Sequence, residues 1–436
     1  MTTRPHLHLV GVAGVGMNPL AQVLLAQGYR VTGSDRYLDT GQRPTTVAKL
    51  CRAGLTVFPQ DGSGVNEQTE AVVASAAVEE DNPDLAAARR LGVAIVRRGE
   101  MLARLVEDKT TVAITGTSGK TTVTGMVGFV LERLGADPTV VNGGIVVNWE
   151  DDQRVGNVRI GRSGLWVVEA DESDRSLLRF RPSWAVVTNV SADHFALDES
   201  RHLFARFVAQ VERGVVGWDD GLFEGFEPEL RADGSAFTLA GARFEVRMPG
   251  RHNAENALQA AALCLSLGYR PQDVAEALRE FRGIRRRLEV VGRERGITVV
   301  DDYAHNPAKI RAAWSALAPH HRRVVLVWRP HGFGPLAKMF DDLVALFREI
   351  ASRDTTVLLL PVYYAGGTVN PTVVSDDLAQ ALARDGFPVE MVADYDECVE
   401  RVRALAEEGD AVVVMGARDP QLPALARRIL ARLSRG

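Results

Sequence analysis

Residues 111–122, TVAITGTSGKTT, join an apolar run to two glycines and the sequence Gly-Lys-Thr-Thr. A strand, a glycine turn and a helix start in this order present backbone amides and the positive helix end to an anion. Lys120 would neutralise the outer phosphates of a nucleoside triphosphate, and the Thr121 hydroxyl could hold Mg²⁺. The general phosphate-loop pattern has glycine six positions before its lysine, where this chain has Ile114. A glycine turn that caps a buried helix is the alternative.

Two further strand-like runs end in polar residues. VVEADESD carries Glu169, Asp171, Glu172 and Asp174, and VVTNVSADH carries Asn189, Asp193 and His194. Either run alone could be a solvated loop. Placed at neighbouring strand ends, their hard oxygens and imidazole could collect one or two Mg²⁺ beside a triphosphate. Neither run contains cysteine, so the sequence disfavours zinc.

A third glycine-rich turn lies near the N-terminus. GVAGVGM supplies Gly11, Gly14 and Gly16, and Asp35 ends the next strand-like run. The order is G-x-x-G-x-G, whereas the dinucleotide fingerprint is G-x-G-x-x-G. We predict a tight strand-to-helix turn near a diphosphate, with Asp35 positioned for a ribose or base. A purely structural turn is the alternative.

Three later segments add nucleotide-binding candidates: RHNAENA, GIRRRLE and DDYAHNP. Asn253, at a predicted helix start, can hydrogen-bond an adenine edge. The three consecutive arginines that end at Arg287 either meet phosphates or form a solvated face. Asp301, Asp302 and His305 follow a strand, where an α/β sheet presents its ligand groups.

The elements that position these residues alternate between strand-like and helix-like segments, which predicts an α/β fold with mostly parallel sheets. A length of 436 residues suggests about three domains. We place them at 1–106, 107–293 and 294–436. Only the turn-rich segment 215–250 breaks the alternation, and we expect short strands or loops there.

Composition narrows the function classes. A formal net charge of −5 argues against a nucleic-acid partner. The three scattered cysteines, Cys51, Cys264 and Cys398, are expected to be reduced thiols without a metal or redox role. The sequence contains neither a signal peptide nor an apolar run long enough to cross a bilayer. We therefore expect a cytoplasmic protein without a membrane partner.

Taken together, these segments resemble the Mur ligase family of ATP-dependent amide-bond-forming enzymes. The resemblance covers essentially the whole chain and follows, in order, GVAGVGM…GSD, SAAVEEDNPDLAAARRLGVAIVRRGEML, GTSGKTT, EADESD, TNVSADH, GRHNAENA, GIRRRLE, DDYAHNP and MGARD. It implies a Rossmann-like N-terminal domain that binds a UDP-sugar, a central phosphate-loop ATPase with a mostly parallel sheet, and a Rossmann-like C-terminal domain that binds an amino acid. The cofactors implied are ATP and Mg²⁺.

The activity that the resemblance implies is an acid–amino-acid ligation in peptidoglycan precursor synthesis. ATP would phosphorylate the carboxylate of UDP-N-acetylmuramate to an acyl phosphate, which the amine of an amino acid, L-alanine in the members most similar to this chain, would attack. The protein is expected to act as a monomer or homodimer.

The resemblance also assigns roles to residues. Those that would bind the nucleotide are Gly116, Thr117, Ser118, Gly119, Lys120, Thr121, Thr122, Asn253, Arg287 and Asp302. Metal ligands would be Thr121, Glu169 and His194, and the catalytic residues Lys120, His194 and His305. The UDP-sugar would meet Gly14, Val15, Gly16 and Asp35, with the glycine turn at the diphosphate and Asp35 near the uridine.

Two departures from the family pattern leave the acceptor open. Ser118 stands where members that add alanine usually carry histidine in the phosphate loop, and GFGPLAK follows WRPH where they continue with an Arg-Tyr-Thr-Arg stretch. The alternatives are the same chemistry on another pair, such as a recycled murein tripeptide or a non-murein acid, and a non-catalytic relative. A nicotinamide oxidoreductase built on the first glycine turn would leave the phosphate loop unexplained.

Overall fold

Strands and helices alternate along most of the chain in the computed structural model, which describes residues 4–39, 41, 44–76, 78–191, 195–350, 355–364, 372–384 and 386–434. The predicted α/β class is confirmed. His194, a predicted metal ligand and catalytic residue, and the neighbouring Asp193 lie outside the described residues.

The first sheet is parallel throughout. Its elements are β1 (His6–Val10), α1 (Met17–Ala26), β2 (Arg30–Ser34), α2 (Arg36–Asp39), α3 (Thr45–Arg52), β3 (Thr56–Val57), β4 (Thr69–Ala74), α4 (Pro83–Leu91), β5 (Ala94–Arg97) and α5 (Arg98–Leu105). The strand order is β3-β2-β1-β4-β5. The order reverses beside β1, so the GVAGVGM turn that follows β1 lies where open α/β sheets bind their ligands.

The second sheet carries the phosphate-loop segment. Its elements are β6 (Thr110–Thr115), α6 (Lys120–Arg133), β7 (Thr139–Val141), β8 (Val158–Arg159), β9 (Leu165–Glu169), a 3₁₀ helix (Ser176–Arg179), β10 (Trp184–Val187), α7 (Leu197–Val208) and β11 (Gly214–Val216). The order is β11-β10-β6-β9-β7-β8, parallel except for the β7–β8 pair. Strands β9 and β10 flank β6, so their polar ends share one edge with the loop after β6.

Short strands and two helices follow, as the turn-rich sequence predicts. They are β12 (Glu229–Arg231), β13 (Gly234–Leu239), β14 (Ala242–Val246), α8 (Arg251–Ser266) and α9 (Pro271–Arg279). The strands form a three-stranded sheet in the order β12-β13-β14.

The last sheet has the order β15-β16-β20-β17-β18-β19 and is parallel except for its first pair. Its strands are β15 (Glu289–Glu294), β16 (Ile297–Asp302), β17 (Val324–Trp328), β18 (Thr355–Leu359), β19 (Val389–Met391) and β20 (Ala411–Met415). Its helices are α10 (Pro307–Leu317), a 3₁₀ turn (Ala318–His320), α11 (Phe333–Lys338), α12 (Phe340–Ile350), α13 (Ser375–Ala383), α14 (Tyr395–Leu405) and α15 (Leu422–Ser434).

Apolar runs form the central strands because both faces of this sheet are covered. Every residue of β17 and β20 is buried. Along β17, Val324, Leu326 and Trp328 pack into one hydrophobic cluster, and Val325 and Val327 pack into the other. Burial on both faces explains why the sequence shows continuous apolar runs instead of alternation.

The chain divides into two compact units. The first contains residues 1–227, 238–244 and 255–284, and the second contains 228–237, 245–254 and 285–436. The first two sheets belong to the first unit and the last sheet to the second. The three-domain boundaries at 106 and 293 stay a prediction. Among the described helices, none is both long and apolar enough to cross a membrane.

A glycine of α6 tests how tightly this helix packs on the second sheet. A Cβ on Gly128 would lie 2.7 and 2.8 Å from the γ-carbons of Val140 and 3.2 Å from Trp149. Alanine favours a helix by about 1 kcal/mol, whereas overpacking costs about 1–3 kcal/mol. We expect Gly128→Ala to lower the midpoint of urea unfolding.

The matched control is Gly334→Ala in α11, where the added Cβ meets no atom within 4 Å. This variant should be neutral or slightly stabilising. Equal effects of the two variants would contradict tight packing at Gly128.

Candidate active site

The segment between β6 and α6 has a backbone that only glycine accommodates at two positions. Gly116 has φ +126° and Gly119 has φ +88°. A Cβ on Gly116 would overlap Thr188 Oγ1, and one on Gly119 would overlap Asn256 Oδ1. Positive φ and close packing therefore both require these glycines.

The Lys120 ammonium folds back over this loop. Its Nζ donates to the Gly116 carbonyl at 2.7 Å and to Glu172 Oε2 at 2.6 Å. The side chains of Lys120 and Glu172 are only 14% and 5% exposed. Burial raises the pKa of Glu172, and the attraction of Lys120 opposes that rise. Both charges are thus removed from water and compensate each other.

Thr121 and Glu169 form a second polar pair at the same edge. Thr121 Oγ1 donates to Glu169 Oε1 at 3.0 Å, and the Gly143 amide donates to Glu169 Oε2 at 2.7 Å. A hydroxyl and a carboxylate are hard oxygen donors, so their chemistry fits Mg²⁺. Within the described ranges no group of three or more His, Cys, Asp or Glu is arranged to hold a metal ion. Further ligands would have to come from a phosphate, from water or from His194.

The end of β10 holds the loop in place. Asn189 Oδ1 accepts from the Ser118 amide at 3.1 Å, and Asn189 Nδ2 donates to the Ser118 carbonyl at 2.7 Å. The Thr188 hydroxyl donates to the same carbonyl at 2.6 Å. Thr117 also bonds through its amide to the Asn189 carbonyl at 3.0 Å. Asn189, which the sequence placed among candidate ligands, is engaged here in orienting the loop.

The GVAGVGM turn is fixed by the carboxylate at the end of β2. Asp35 accepts from the Ala13 amide at 2.9 Å and the Tyr37 amide at 3.0 Å. Burial raises the pKa of Asp35, and these two amides oppose the rise. Val15, at the tip of the turn, is 69% exposed. The turn therefore has a rigid base and an open tip.

Arg98 connects this turn to the acidic segment. A Cβ on Gly16 would lie 3.2 Å from Arg98 Nη1, and Arg98 Nη2 lies 3.6 Å from Asp171 Oδ2. The side chain is 19% exposed. The Arg98 guanidinium lies between the glycine turn and Asp171, where it can bind an anion at the turn. Nothing in the sequence pointed to Arg98 beyond its place in RRGEML.

In the second unit, Asp302 fixes the arginine-rich segment. Its carboxylate accepts from the Leu288 and Ala304 amides, each at 2.7 Å. Burial raises the pKa of Asp302. The Arg286 and Arg287 guanidinium groups lie 5.0 and 5.4 Å from the Tyr303 ring centroid. Arg286 and Arg287 thus pack on Tyr303, and the choice between a phosphate site and a solvated face stays open.

His305 continues this stack of side chains. Its ring lies 5.6 Å from the Tyr303 ring and 5.1 Å from the His331 ring, edge to face in both cases. His305 Nδ1 lies 2.9 Å from the Tyr303 carbonyl and donates to it when it carries the proton. His331, from WRPH, is therefore a neighbour of the candidate catalytic His305. Asn253, also in this unit, is buried and donates through Nδ2 to the Pro249 carbonyl at 2.8 Å.

The first unit thus brings together residues 116–122 and Glu169, with the GVAGVGM turn linked through Arg98 and Asp171. Asn253, Arg287, Asp302 and His305 belong to the second unit. Sequence reasoning missed Arg98 and Asn256. Asn256 repeats the helical spacing of Asn253 in RHNAENA, which was the one available signal.

Replacing the loop lysine tests the phosphate-binding interpretation. We expect Lys120→Met to weaken binding of ATP roughly 10- to 100-fold, because a hydrogen bond to a charged group contributes about 1.5–3 kcal/mol. Isothermal titration calorimetry would measure the dissociation constant. The exposed Lys109→Met is the matched control and should bind normally. Unchanged binding by Lys120→Met would contradict the assignment.

Titration of His305 tests whether its ring is buried beside positive charge in the second unit. Burial, followed by the positive charge of Lys309, lowers the pKa of His305 from 6.5 to about 4. Unfolded imidazole binds a proton near its ordinary value, so the stability from the neutral ring is present above pH 6.5 and is lost as pH falls through about 4. An NMR titration should give a midpoint near pH 4, and a midpoint near 6.5 would contradict this environment.

Three family models match successive parts of the chain. Residues 6–110 match the Mur ligase family catalytic domain, 114–203 the Mur ligase middle domain, and 286–418 the Mur ligase glutamate ligase domain. The residues described above as the glycine turn, the phosphate-loop segment and the His305 stack fall in these three regions in turn.

Curated relatives match over nearly the full length. A UDP-N-acetylmuramate–L-alanine ligase from Solibacter usitatus is 36% identical over 96% of this chain and 93% of its own. One from Rhizobium meliloti is 33% identical over 94% and 93%.

Solved structures agree with the fold. The UDP-N-acetylmuramate–alanine ligase of Thermotoga maritima superposes with a TM-score of 0.78 at 26% identity, covering 98% of both chains. A murein peptide ligase from Psychrobacter arcticus shares the fold, with a TM-score of 0.67 at 22% identity over 99% of both chains. With three family models in order and relatives matched along almost its whole length, the chain belongs to the Mur ligase family.

Proposed function

We propose that the protein is an ATP-dependent ligase that joins the carboxylate of UDP-N-acetylmuramate to the amine of an amino acid, L-alanine first among the candidates, in peptidoglycan precursor synthesis. The observation that carries the proposal is the grouping of Lys120, Thr121 and Glu169 around a glycine-constrained loop. The names of the full-length relatives support the choice of substrates.

The loop residues would hold the triphosphate. Amides in the first turn of α6 lack carbonyl partners within the helix and point towards an anion at its N-terminus. Lys120 would exchange part of its contact with Glu172 for the outer phosphates. Because the ammonium is already desolvated and held at the loop, little reorganisation is needed when charge develops.

The metal requirement follows from the same edge of the sheet. Thr121 and Glu169 would hold Mg²⁺, with His194 proposed for a second ion. The ion supplies neutralisation of the phosphate charge during transfer to the muramyl carboxylate. The Gly143 amide on Glu169 would keep that carboxylate oriented.

We propose nucleotide-binding roles for three further residues as well. Asn253 would meet adenine, while Arg287 and Asp302 would serve the phosphate and ribose. The hydrogen bonds that Asp302 accepts from two backbone amides hold its carboxylate in one orientation. The position of Arg287 beside Tyr303 supports a guanidinium that is held, not freely mobile.

The UDP-sugar would lie at the GVAGVGM turn, with its diphosphate at Gly14, Val15 and Gly16 and its uridine near Asp35. Arg98 supports this assignment because its guanidinium faces the turn from α5. A cation there compensates a diphosphate without using Lys120, so the two phosphate groups would have separate counter-charges.

His305 would serve the attack by the acceptor amine. Amino acids arrive as ammonium ions, and only the neutral amine is nucleophilic. Because burial lowers the pKa of His305 to about 4, its imidazole would stay neutral and would orient the amine by accepting a hydrogen bond, while the ammonium proton passes to water. The amine would then attack the acyl phosphate and expel phosphate.

We further propose that the protein acts in the cytoplasm as a monomer or homodimer, without a nucleic-acid or membrane partner. The net charge of −5 and the nucleotide-linked substrate support this.

A phosphate-release screen tests the function. The protein is supplied with ATP, Mg²⁺ and UDP-N-acetylmuramate, and each reaction receives one amino acid or the murein tripeptide. We expect release only when both the UDP-sugar and an acceptor are present, with L-alanine the strongest. Reactions lacking either substrate and reactions with Lys120→Met are the controls.

The outcomes separate the alternatives. If the protein releases more phosphate with the murein tripeptide than with any amino acid, its proposed role changes from peptidoglycan precursor synthesis to recycling of the tripeptide. If no pair of substrates stimulates phosphate release, the ligase proposal is overturned and the non-catalytic relative is favoured.

A further inference from the structure

An arginine just after β17 lies at the centre of a partly buried polar cluster in the second unit. Arg329 Nη1 donates to Asp419 Oδ2 at 2.7 Å and to the Tyr395 hydroxyl. Its Nε donates to the Pro361 carbonyl at 3.0 Å. We call Arg329, Tyr395 and Asp419 the arginine brace. Its members come from the segments after β17 and β20 and from the first residue of α14.

The brace is partly shielded from water, with Asp419 as its most buried member. The Arg329 and Asp419 side chains are 19% and 1% exposed. The guanidinium lies 5.4 Å from the Tyr363 ring centroid and 5.1 Å from that of Tyr395. The Tyr395 hydroxyl also donates to Asp419 Oδ2. Burial and this hydrogen bond to Asp419 raise the pKa of Tyr395, so the hydroxyl stays a donor.

These contacts tie Nε and Nη1 of Arg329 to groups of the chain itself, with its charge opposite Asp419. Two tyrosine rings lie beside the guanidinium. The observed contacts of Arg329 are therefore with other parts of the chain.

What the brace fixes is the short segment that carries His331. The Arg329 amide donates to the Met415 carbonyl at 3.0 Å. The backbone carbonyl of Tyr363 accepts from the Gly332 amide, and the Tyr363 amide donates to the Pro330 carbonyl, each at 2.8 Å. Residues 329–332 are thus tied to the end of β20 and to the segment that follows β18, and the His331 ring lies 5.1 Å from the His305 ring.

We propose that Arg329, Tyr395 and Asp419 are positioning residues for the acceptor half of the reaction: they hold residues 329–332 so that His331 stays against His305 where the acceptor amine binds. The inference rests on the proposed function for the acceptor and on the observed contacts for the brace. GFGPLAK follows directly, so the brace also fixes where this divergent segment and α11 begin.

The first test is kinetic. We expect Arg329→Met to lower kcat/KM for the acceptor roughly 10- to 100-fold, as a misplacement of about 1 Å can do. The KM values for ATP and UDP-N-acetylmuramate should change less than twofold. Arg329→Lys keeps the charge opposite Asp419 but loses the planar fork, so it should recover part of the acceptor effect. Tyr395→Phe keeps the ring and should have the smallest effect.

The matched control is an arginine–aspartate pair at the opposite, N-terminal ends of the same two strands. Arg323 precedes β17 and bonds through Nη2 at 2.7 Å to Asp410, which precedes β20 and is fully buried. Arg323→Met should reduce thermal stability about as much as Arg329→Met while leaving the acceptor KM unchanged. Equal acceptor effects from both variants would reduce the brace to a general stabiliser.

The second test, hydrogen–deuterium exchange, does not depend on activity. Arg329→Met should speed exchange in peptides covering 329–334 and 360–364, whereas Arg323→Met should not. Unchanged exchange would overturn the brace itself. Faster exchange with an unchanged kcat/KM for the acceptor would overturn its role in the acceptor half of the reaction. Wild-type protein that releases no phosphate with any acceptor would overturn the proposed function, while exchange would still decide whether the brace holds the segment.

Discussion

The buried ion pair between Lys120 and Glu172 is the interaction on which the first unit's site depends. A desolvated ammonium is costly unless a counter-charge lies beside it, and a desolvated carboxylate has the same requirement. The 2.6 Å contact meets both. It also sets a condition on any ligand: a phosphate at the loop must offer Lys120 at least as much charge as Glu172 does. A triphosphate meets that condition, whereas a neutral ligand does not.

The same acidic segment reaches the first sheet. Asp171, next in sequence to Ala170 and Glu172, faces Arg98, whose guanidinium packs on the Gly16 turn. Alternating charges therefore run from the phosphate loop to the proposed UDP-sugar turn. Lys120 and Arg98 are separate cations, so two anionic ligands would each meet a counter-charge of their own. This arrangement suits a reaction in which a carboxylate receives a phosphoryl group from a polyanion.

The sequence was most informative where chemistry depends on neighbours along the chain. Gly116, Gly119, Lys120 and Thr121 are recognisable together because one turn and one helix start place them. The alternation of strand-like and helix-like segments correctly predicted an α/β fold with mostly parallel sheets. Pairs that meet only through the fold were not predictable. Arg329 and Asp419 are 90 positions apart, and nothing in either local pattern indicates the other.

Isolated polar residues were also hard to interpret because one side chain can serve a ligand or the backbone. Asn189 looked like a ligand and instead bonds both the amide and the carbonyl of Ser118. The arginine run looked like either a solvated face or a phosphate site, and the stacking on Tyr303 became visible only in three dimensions. The roles of the site residues towards ligands stay predictions.

The second unit meets the opposite electrostatic demand from the first. An acceptor amine must lose a proton before it attacks, and a strongly cationic surrounding favours that loss while a carboxylate would oppose it. Around His305, positive side chains and burial keep the imidazole uncharged, and the charge of Arg329 is cancelled by Asp419. The Arg329 guanidinium therefore supports the packing of its segment, while Asp419 balances its positive charge. The neutral, aromatic-lined histidine pair can therefore accept a hydrogen bond from the amine without placing a like charge beside it, and neither histidine has a salt bridge of its own among the described residues.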